Sequence, residues 1–274
     1  MSTYKHAPEE NPETVEISDA ATVLVVRDAP ELEVLMLQRG AKLAFGPRAW
    51  VFPGGRVDRH DADHGERVGK GLTDTEASRL LGVEGGGLAW WFAACRETLE
   101  EAGLLLGDTG TSDDTVNELR RVAEDEPSAF VAELERQGVE LDLSTLHEVA
   151  RFTTPVGPPR RFDTRFFLAP APDRQDASHD DGEMVDMCWV KPVDAVGAWG
   201  TEEFPLMPVT LRMLSLLARF DTAAHALEVA GNRPEPVHVH IEDPDGAYKV
   251  LLPGEPGYEE AKVRIDHGWV RLWK

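Results

Sequence analysis

Between Leu88 and Ala102 the apolar residues Leu88, Trp91, Phe92, Cys95, Leu99 and Ala102 recur in steps of three and four, the spacing of one stripe on an α-helix. Runs of strand length flank that helix on both sides. Ala21–Arg27, Leu32–Gln38 and Ala49–Phe52 precede it, and Glu148–Thr153, Arg161–Leu168 and Met184–Val190 follow it, all rich in β-branched or apolar residues. A striped helix must bury its apolar side against another element, and strands on both sides of the chain supply a sheet for it. The pattern therefore predicts an α/β fold, a sandwich built on a mixed sheet.

Punctuation divides the chain further. Asp28-Ala-Pro-Glu31 separates the first two runs as a hairpin turn, and Pro53-Gly54-Gly55 ends the third. Residues 1–18 are polar, acidic and proline-bearing, too poor in apolar groups to offset the entropy of ordering, and read as a disordered tail. The main domain covers 19–221. Within it, residues 56–88 resemble an insertion: an Asp/His/Gly-rich loop, then Thr73-Asp-Thr-Glu76, which spells a capping box for a short helix through Leu81, then Gly85-Gly-Gly87. Gly103 is a helix stop. Acidic amphipathic patterns at 114–125 and 127–137 read as covering helices, Pro192–Val196 as a short helix and Leu206–Phe220 as a longer one. Residues 222–274, with short strands near 237–241, 248–252, 263–265 and 269–273, read as a small β-rich C-terminal extension.

Composition narrows the function classes. With 28 Lys and Arg against 50 Asp and Glu the formal charge is −22, which repels phosphate backbones and anionic lipid. Nucleic acid and membranes are thus unexpected partners. The apolar stretches are far shorter than the roughly 20 residues that cross a bilayer. Two cysteines, Cys95 and Cys188, make no disulfide framework, and the N-terminal residues lack the pattern of a secretory signal, so a cytoplasmic setting is expected.

The segment Arg96-Glu-Thr-Leu-Glu-Glu-Ala-Gly103 carries the chemistry. On a helix Glu97 and Glu101 are four apart and Glu100 is three from Glu97, so the three carboxylates share one face, away from the apolar stripe. Packed so closely they raise each other's pKa unless cations compensate, and Arg96 offsets only one of them. Carboxylates without nitrogen or sulfur neighbours suit a hard divalent ion such as Mg²⁺. A solvated Glu-rich helix surface explains the same letters equally well. The Val51-Phe-Pro-Gly-Gly55 turn favours the metal reading, because adjacent glycines let backbone carbonyls approach a ligand.

Together, Phe52-Pro-Gly-Gly55 and Arg96-Glu-x-x-Glu-Glu-x-Gly103 resemble the signature of the Nudix hydrolases, G-x5-E-x7-R-E-U-x-E-E-x-G-U with U apolar; Thr98 stands at an apolar position. The resemblance implies an α/β/α sandwich that cleaves a nucleoside diphosphate linked to another group, using Mg²⁺ or Mn²⁺. It implies that Gly55 offers its carbonyl to the metal, that Glu97, Glu100 and Glu101 ligate it or assist the attacking water, and that Arg96 holds Glu97 through an ion pair. Forty residues separate Gly55 from Arg96 where the family box has 13, so the box itself holds a long insertion. By direct count the early glutamate of the box falls on Asp61, with Asp58 and Asp63 as alternatives if the loop is rearranged.

The insertion, Val51–Asp58, Thr153–Phe167 and Met207-Pro-Val-Thr-Leu211 are similar to the branch related to peroxisomal coenzyme A diphosphatases, over about residues 20–220. Its coenzyme A motif aligns with Leu35-Met-Leu-Gln-Arg39-Gly40, which makes Arg39 a substrate-binding candidate, but its second arginine falls on Ala44 and its glycine on Arg48. The expected activity is metal-dependent hydrolysis of a nucleoside-diphosphate-linked metabolite, coenzyme A or acyl-coenzyme A among the candidates. The alternative is a Nudix-fold module that senses a nucleotide without cleaving it. Family members often dimerise, so a homodimer is one expected arrangement.

Other residues admit two readings. Arg161 and Arg165 share a strand face with Asp163 and serve either as a phosphate clamp or as charge balance for nearby acids. Glu183 is either a late carboxylate acting as base or extra ligand, or a solvated loop acid. His60 and His64, amid Asp58, Asp61 and Asp63, fit no zinc or EF-hand spacing and read as a polar loop. His238 and His240 read as surface residues, and Trp90 as a residue that could stack on a base.

Overall fold

A computed structural model describes residues 15–43, 46–63, 65–108, 110–179, 182–243, 248–263 and 265–272. The chain begins with a hairpin, β1 (Ile17–Asp28) and β2 (Leu32–Arg39), followed by β3 (Trp50–Val51) and β4 (Gly54–Arg56). The insertion supplies a 3-10 turn over Arg59–Ala62, α1 (Gly65–Val68), β5 (Gly69–Lys70) and α2 (Asp74–Leu81). Then come α3 (Leu88–Ala102), α4 (Asp113–Asp125), α5 (Phe130–Gln137) and β6 (Leu141–Asp142). The second strand group is β7 (His147–Thr153), β8 (Arg161–Pro170) and β9 (Met184–Val190), followed by α6 (Pro192–Gly197), α7 (Pro208–Leu217) and α8 (Ala223–Gly231). Four short strands end the chain: β10 (Val237–His238), β11 (His240–Glu242), β12 (Lys249–Leu251) and β13 (Gly268–Val270).

Among the described residues nine strands form one mixed sheet in the order β10-β13-β7-β8-β1-β2-β3, with β4 also on β1 and β9 also on β2. β1 and β8 run parallel, whereas β1 pairs antiparallel with β2 and with β4. The central position of β1 explains its unbroken Val23-Leu-Val-Val26 run, since a strand covered on both faces has no side to leave polar. Its odd residues Ala21, Val23 and Val25 pack with the α3 stripe and with α4 and α5. Leu24 and Val26 pack against α6, α7 and α8 on the other face. Helices on both faces make the α/β/α sandwich that the family resemblance implied.

Most elements form where the letters place them. Thr73 caps α2 through the expected box, its hydroxyl taking the Glu76 N–H while the Glu76 carboxylate takes the Thr73 N–H. Gly103 ends α3 in the left-handed conformation. The two acidic helices bury Val116, Leu119, Phe130 and Leu134 in the α3-side core, as covers should. Trp90 packs against the same core. Both cysteines are free thiols. No helix among the described residues is long and apolar enough to cross a membrane.

Three boundaries differ. The sheet starts at Ile17, inside the expected tail, because parallel pairing with Arg161 and Phe162 of β8 carries β1 two residues earlier; residues 1–14 lie outside those described. The longer helix is α7, trimmed at its start by Pro208, which fits the first helical turn. The C-terminal extension is not a separate β appendage: it opens with α8, whose Ala223, Ala226 and Ala230 fill the second core, and β13 joins the main sheet beside β7. A nine-residue helix apolar mainly through alanine gives a weak periodic signal, which is why the letters did not reveal it.

Candidate active site

The glycine turn and the carboxylate helix meet despite the forty residues between them. Gly54 has φ of 149°, a region open essentially to glycine, and a Cβ there would overlap the Ala21 carbonyl of β1. A Cβ on Gly55 would overlap the Glu97 carboxylate. The missing side chains thus let β4 sit between β1 and α3, with the Gly54 N–H donating to Glu101 Oε2 at 2.9 Å.

The insertion holds the helix from both ends of the cluster. Asp61, by count the place of the early box glutamate, is buried and receives Arg96 Nε at 2.8 Å and Nη2 at 3.1 Å. Arg96 Nη1 donates to Glu97 Oε1 and Glu100 Oε1, both at 2.9 Å, and Nη2 to the Arg56 carbonyl at 3.0 Å. One guanidinium therefore fixes three carboxylates, where the sequence suggested one. Asp58 instead caps the 3-10 turn and Asp63 faces solvent beside His60, as a polar loop would; His64 lies outside the described residues. At the other end, α3 has no capping side chain of its own at Gly87. Asp74 of α2 fills that role, accepting the Gly86 and Leu88 N–H groups at 3.0 Å each, while Ser78 Oγ accepts the Gly87 N–H.

The carboxylate face is not the solvated surface that the bland reading expects. The Glu97 and Glu100 side chains keep 14% and 19% of their exposure, and Glu101 is buried. Burial raises the Glu97 carboxyl against the opposing pull of Arg96. Burial, then the charge of Glu97, pushes Glu100 up to about 7. Glu101 is driven well above the usual range by burial and by Glu97, against the Gly54 N–H and Arg39. Arg96 bonds three of these four acids and Arg39 acts on the fourth through its charge, so the acids outnumber the cations that reach them.

That donor set fits a hard divalent cation: oxygen ligands only, under-compensated, beside a turn whose backbone can approach. Among the described residues no three acidic, histidine or cysteine side chains already converge on one coordination point. The hydrogen bonds give the reason, since Arg96 draws Glu97 and Glu100 toward itself while Glu101 turns to Gly54.

Two further candidates reach the cluster. The charge of Arg39, at the end of β2, is felt by Glu101, and that of Glu183, just before β9, by both Glu97 and Glu101. Arg161 and Arg165 do not join it, and the phosphate-clamp reading gives way to charge balance. Arg165 donates to Glu148 Oε1 at 2.6 Å and to the Leu81 carbonyl, and Arg161 pairs with Asp266 at 2.7 Å. Both side chains are buried and hydrogen-bonded where they lie. Asp163, their strand neighbour, pairs with Arg151. Arg48, where the coenzyme A motif has glycine, takes a positive φ of 62°, so the backbone keeps a glycine-like bend under another side chain; Ala44 is outside the described residues. Asp74 is the residue that sequence reasoning missed: its letters mark the start of its own helix and carry no sign that it caps another.

Comparison with known proteins agrees with this geometry. The NUDT19 Nudix domain family matches residues 72–217, more than half of the chain. The acyl-coenzyme A diphosphatase NUDT19 of Gallus gallus is 27% identical over 91% of this chain and 82% of its own length. That of Xenopus laevis is 26% identical over 69% of this chain, a stretch spanning 60% of the frog protein. A Nudix hydrolase structure from Alicyclobacillus acidocaldarius superposes with a TM-score of 0.65 at 29% identity, covering 78% of this chain and 97% of that one. Glycine turn, carboxylate helix, sandwich fold and family match converge: the chain belongs to the Nudix hydrolases, in the branch of the NUDT19 Nudix domain.

Proposed function

We propose that the protein is a divalent-metal-dependent diphosphatase acting on a nucleoside-diphosphate-linked metabolite of the coenzyme A or acyl-coenzyme A type. The observation that carries this reading is the buried, under-compensated trio Glu97, Glu100 and Glu101 packed against Gly54 and Gly55. These carboxylates and the Gly55 carbonyl would hold Mg²⁺ or Mn²⁺. Bound there, the ion would neutralise charge on the diphosphate oxygens and make a water more acidic.

The chain's own residues do the rest. Asp61 fixes Arg96, Arg96 fixes Glu97 and Glu100, and the Gly54 N–H fixes Glu101, so the acids are oriented before substrate arrives. Arg39 draws the diphosphate toward the acidic pocket from the β2 end. Glu183, exposed at the rim, accepts the proton of the water that attacks phosphorus. With a coenzyme A substrate the products are an adenosine bisphosphate and a phosphopantetheine, or its acylated form. The similarity to acyl-coenzyme A diphosphatases supports that substrate class. The retained Arg96, Glu97, Glu100 and Glu101 favour turnover over nucleotide sensing.

The test is incubation with Mg²⁺ or Mn²⁺ and coenzyme A, acyl-coenzyme A, dinucleotide cofactors, nucleotide sugars or diadenosine polyphosphates, with products read by mass spectrometry. Cleavage of the coenzyme A compounds at the diphosphate is the expected result. Preference for another nucleotide would overturn the substrate, and binding without any phosphate-containing product would overturn the enzyme.

A further inference from the structure

A cavity of about 420 Å³ opens in the C-terminal extension, lined among others by His238, His240, Lys262, Asp266, His267 and Trp269. It is distinct from the carboxylate cluster, yet the sheet register ties the two together. His238 pairs with Trp269, Trp269 with Arg151, Arg151 with Arg165, Arg165 with Ala21, and Ala21 with Gly55. Residues paired directly across strands point to the same side. His238 and Trp269 therefore face the α3 side, while Val239 and Ile265 of the same lining pack with the opposite core, so the cavity sits at the β10 edge of the sheet; four strand steps of about 4.8 Å put Trp269 roughly 20 Å from the glycine turn. Arg165, buried and bonded to the end of α2, closes the sheet between them.

The lining is unusual for a chain of charge −22. Its one acid, Asp266, is neutralised at 2.7 Å by Arg161. Three imidazoles and an ammonium remain. His240 is fixed: its Nδ1 donates to the Tyr258 carbonyl at 2.7 Å and its ring stacks on Tyr258 at 3.9 Å, which leaves Nε2 as the free nitrogen. The His238, His267 and Lys262 side chains make no hydrogen bond or ion pair among the described residues, although the His238 and His267 carbonyls accept from the Tyr258 hydroxyl and the Thr153 N–H. Behind them the Arg271 guanidinium lies over the Trp269 indole at 4.8 Å, with a buried Nε–H that finds no acceptor. Hydrogen-bond donors and positive charge without partners, around a concave surface with an indole wall, match an anion of several oxygens.

We propose that this cavity is a phosphate-binding site, separate from the carboxylate centre, that takes a phosphate monoester group, as free phosphate or on a nucleoside. Lys262, His238 and His267 contact the oxygens, and Trp269 offers a flat wall to whatever ring the phosphate carries. The proposal stands apart from the diphosphatase reading, and its test reads no activity. Calorimetric titration of the full metal-free chain with inorganic phosphate and with adenosine 5′-monophosphate should show one site for at least one probe. Tighter binding of the nucleotide would identify the nucleoside form, and equal binding the bare anion. The double variant Lys262→Ala/His267→Ala, confined to exposed side chains, should weaken binding at least about fivefold. Glu101→Gln should leave it unchanged. Unaltered affinity in the double variant, no binding of either probe at millimolar concentration, or loss of binding in Glu101→Gln would each overturn the site.

Discussion

Two charged clusters lie on the same side of the sheet, and they are built on opposite principles. Around Glu148 every charged side chain has a direct partner: the one carboxylate takes Arg165 at 2.6 Å and Arg233 at 3.2 Å, and the spare guanidinium donors end on the Leu81 and Leu80 carbonyls. Around Arg96 three carboxylates bond one guanidinium, and Glu101 beside them feels Arg39 through its charge alone, so acids outnumber cations. A buried carboxylate engaged by two guanidiniums ties elements together, whereas buried acids that outnumber their cations raise one another's pKa and favour a ligand that supplies the missing charge. Residue type did not separate them, since arginines and glutamates occur in both. Balance did.

The sharpest way to break this contrast is to neutralise one acid in each cluster. Glu101→Gln, or Glu100→Gln, removes a charge that the metal-free protein has in surplus. Turnover should fall by at least about 100-fold, the scale of losing one positioned transition-state group, while the melting temperature stays level or rises. Steady-state kinetics and thermal melts on the same preparation check both halves. Activity retained in both variants would remove these acids from the mechanism.

Glu148→Gln should do the reverse. It strands Arg165, a side chain 4% exposed, without its partner, and removing one member of a buried pair costs about 3–5 kcal/mol. Denaturant unfolding should show that loss, with kcat per folded molecule nearly intact. If catalysis instead disappears while stability holds, Arg165 serves the substrate after all.

Much of this was legible in the letters, for a physical reason. Strand alternation, the α3 stripe, the Thr73–Glu76 box and the Gly103 stop are local signals, and the structure keeps them. Helical spacing put the glutamates on one face, and the glycine turn together with the family resemblance, rather than the helix alone, pointed to chemistry there. What was not legible depends on long-range contacts. That Asp61 rather than Asp58 or Asp63 meets Arg96 is decided by how the insertion folds back, and that Arg161 meets Asp266 is decided by the path of a C-terminal segment 105 residues later. The same holds for α8, whose alanines become apolar contacts only once a sheet face is there to receive them.

Asp74 sharpens the comparison at lower energy, because it tests whether the insertion positions the acidic cluster or only covers it. Asp74→Ala uncaps the Gly86 and Leu88 N–H groups and should cost about 1 kcal/mol of stability. Asp74→Asn keeps an acceptor oxygen and should recover most of that loss. If the N-terminus of α3 sets the placement of its acids, the alanine variant also needs more Mg²⁺ for half-maximal rate, and asparagine restores it. A stability loss without that shift would assign Asp74 to the fold alone.

The smallest effect is the one most specific to imbalance. Burial and Glu97 hold Glu100 near 7, above its usual value, so between the two the folded protein binds more protons than the unfolded chain. Stability then falls as pH rises through that interval, the opposite of what a well-paired carboxylate gives. The metal-free protein should therefore lose part of its melting temperature between about pH 5 and 7, and Glu100→Gln should flatten that slope. Saturating Mg²⁺ should flatten it too, since a bound cation favours the ionised acids and stabilises the native state by mass action. An identical pH profile in the parent and Glu100→Gln would mean that the acids of α3 are already compensated, and the division between the two clusters would fail.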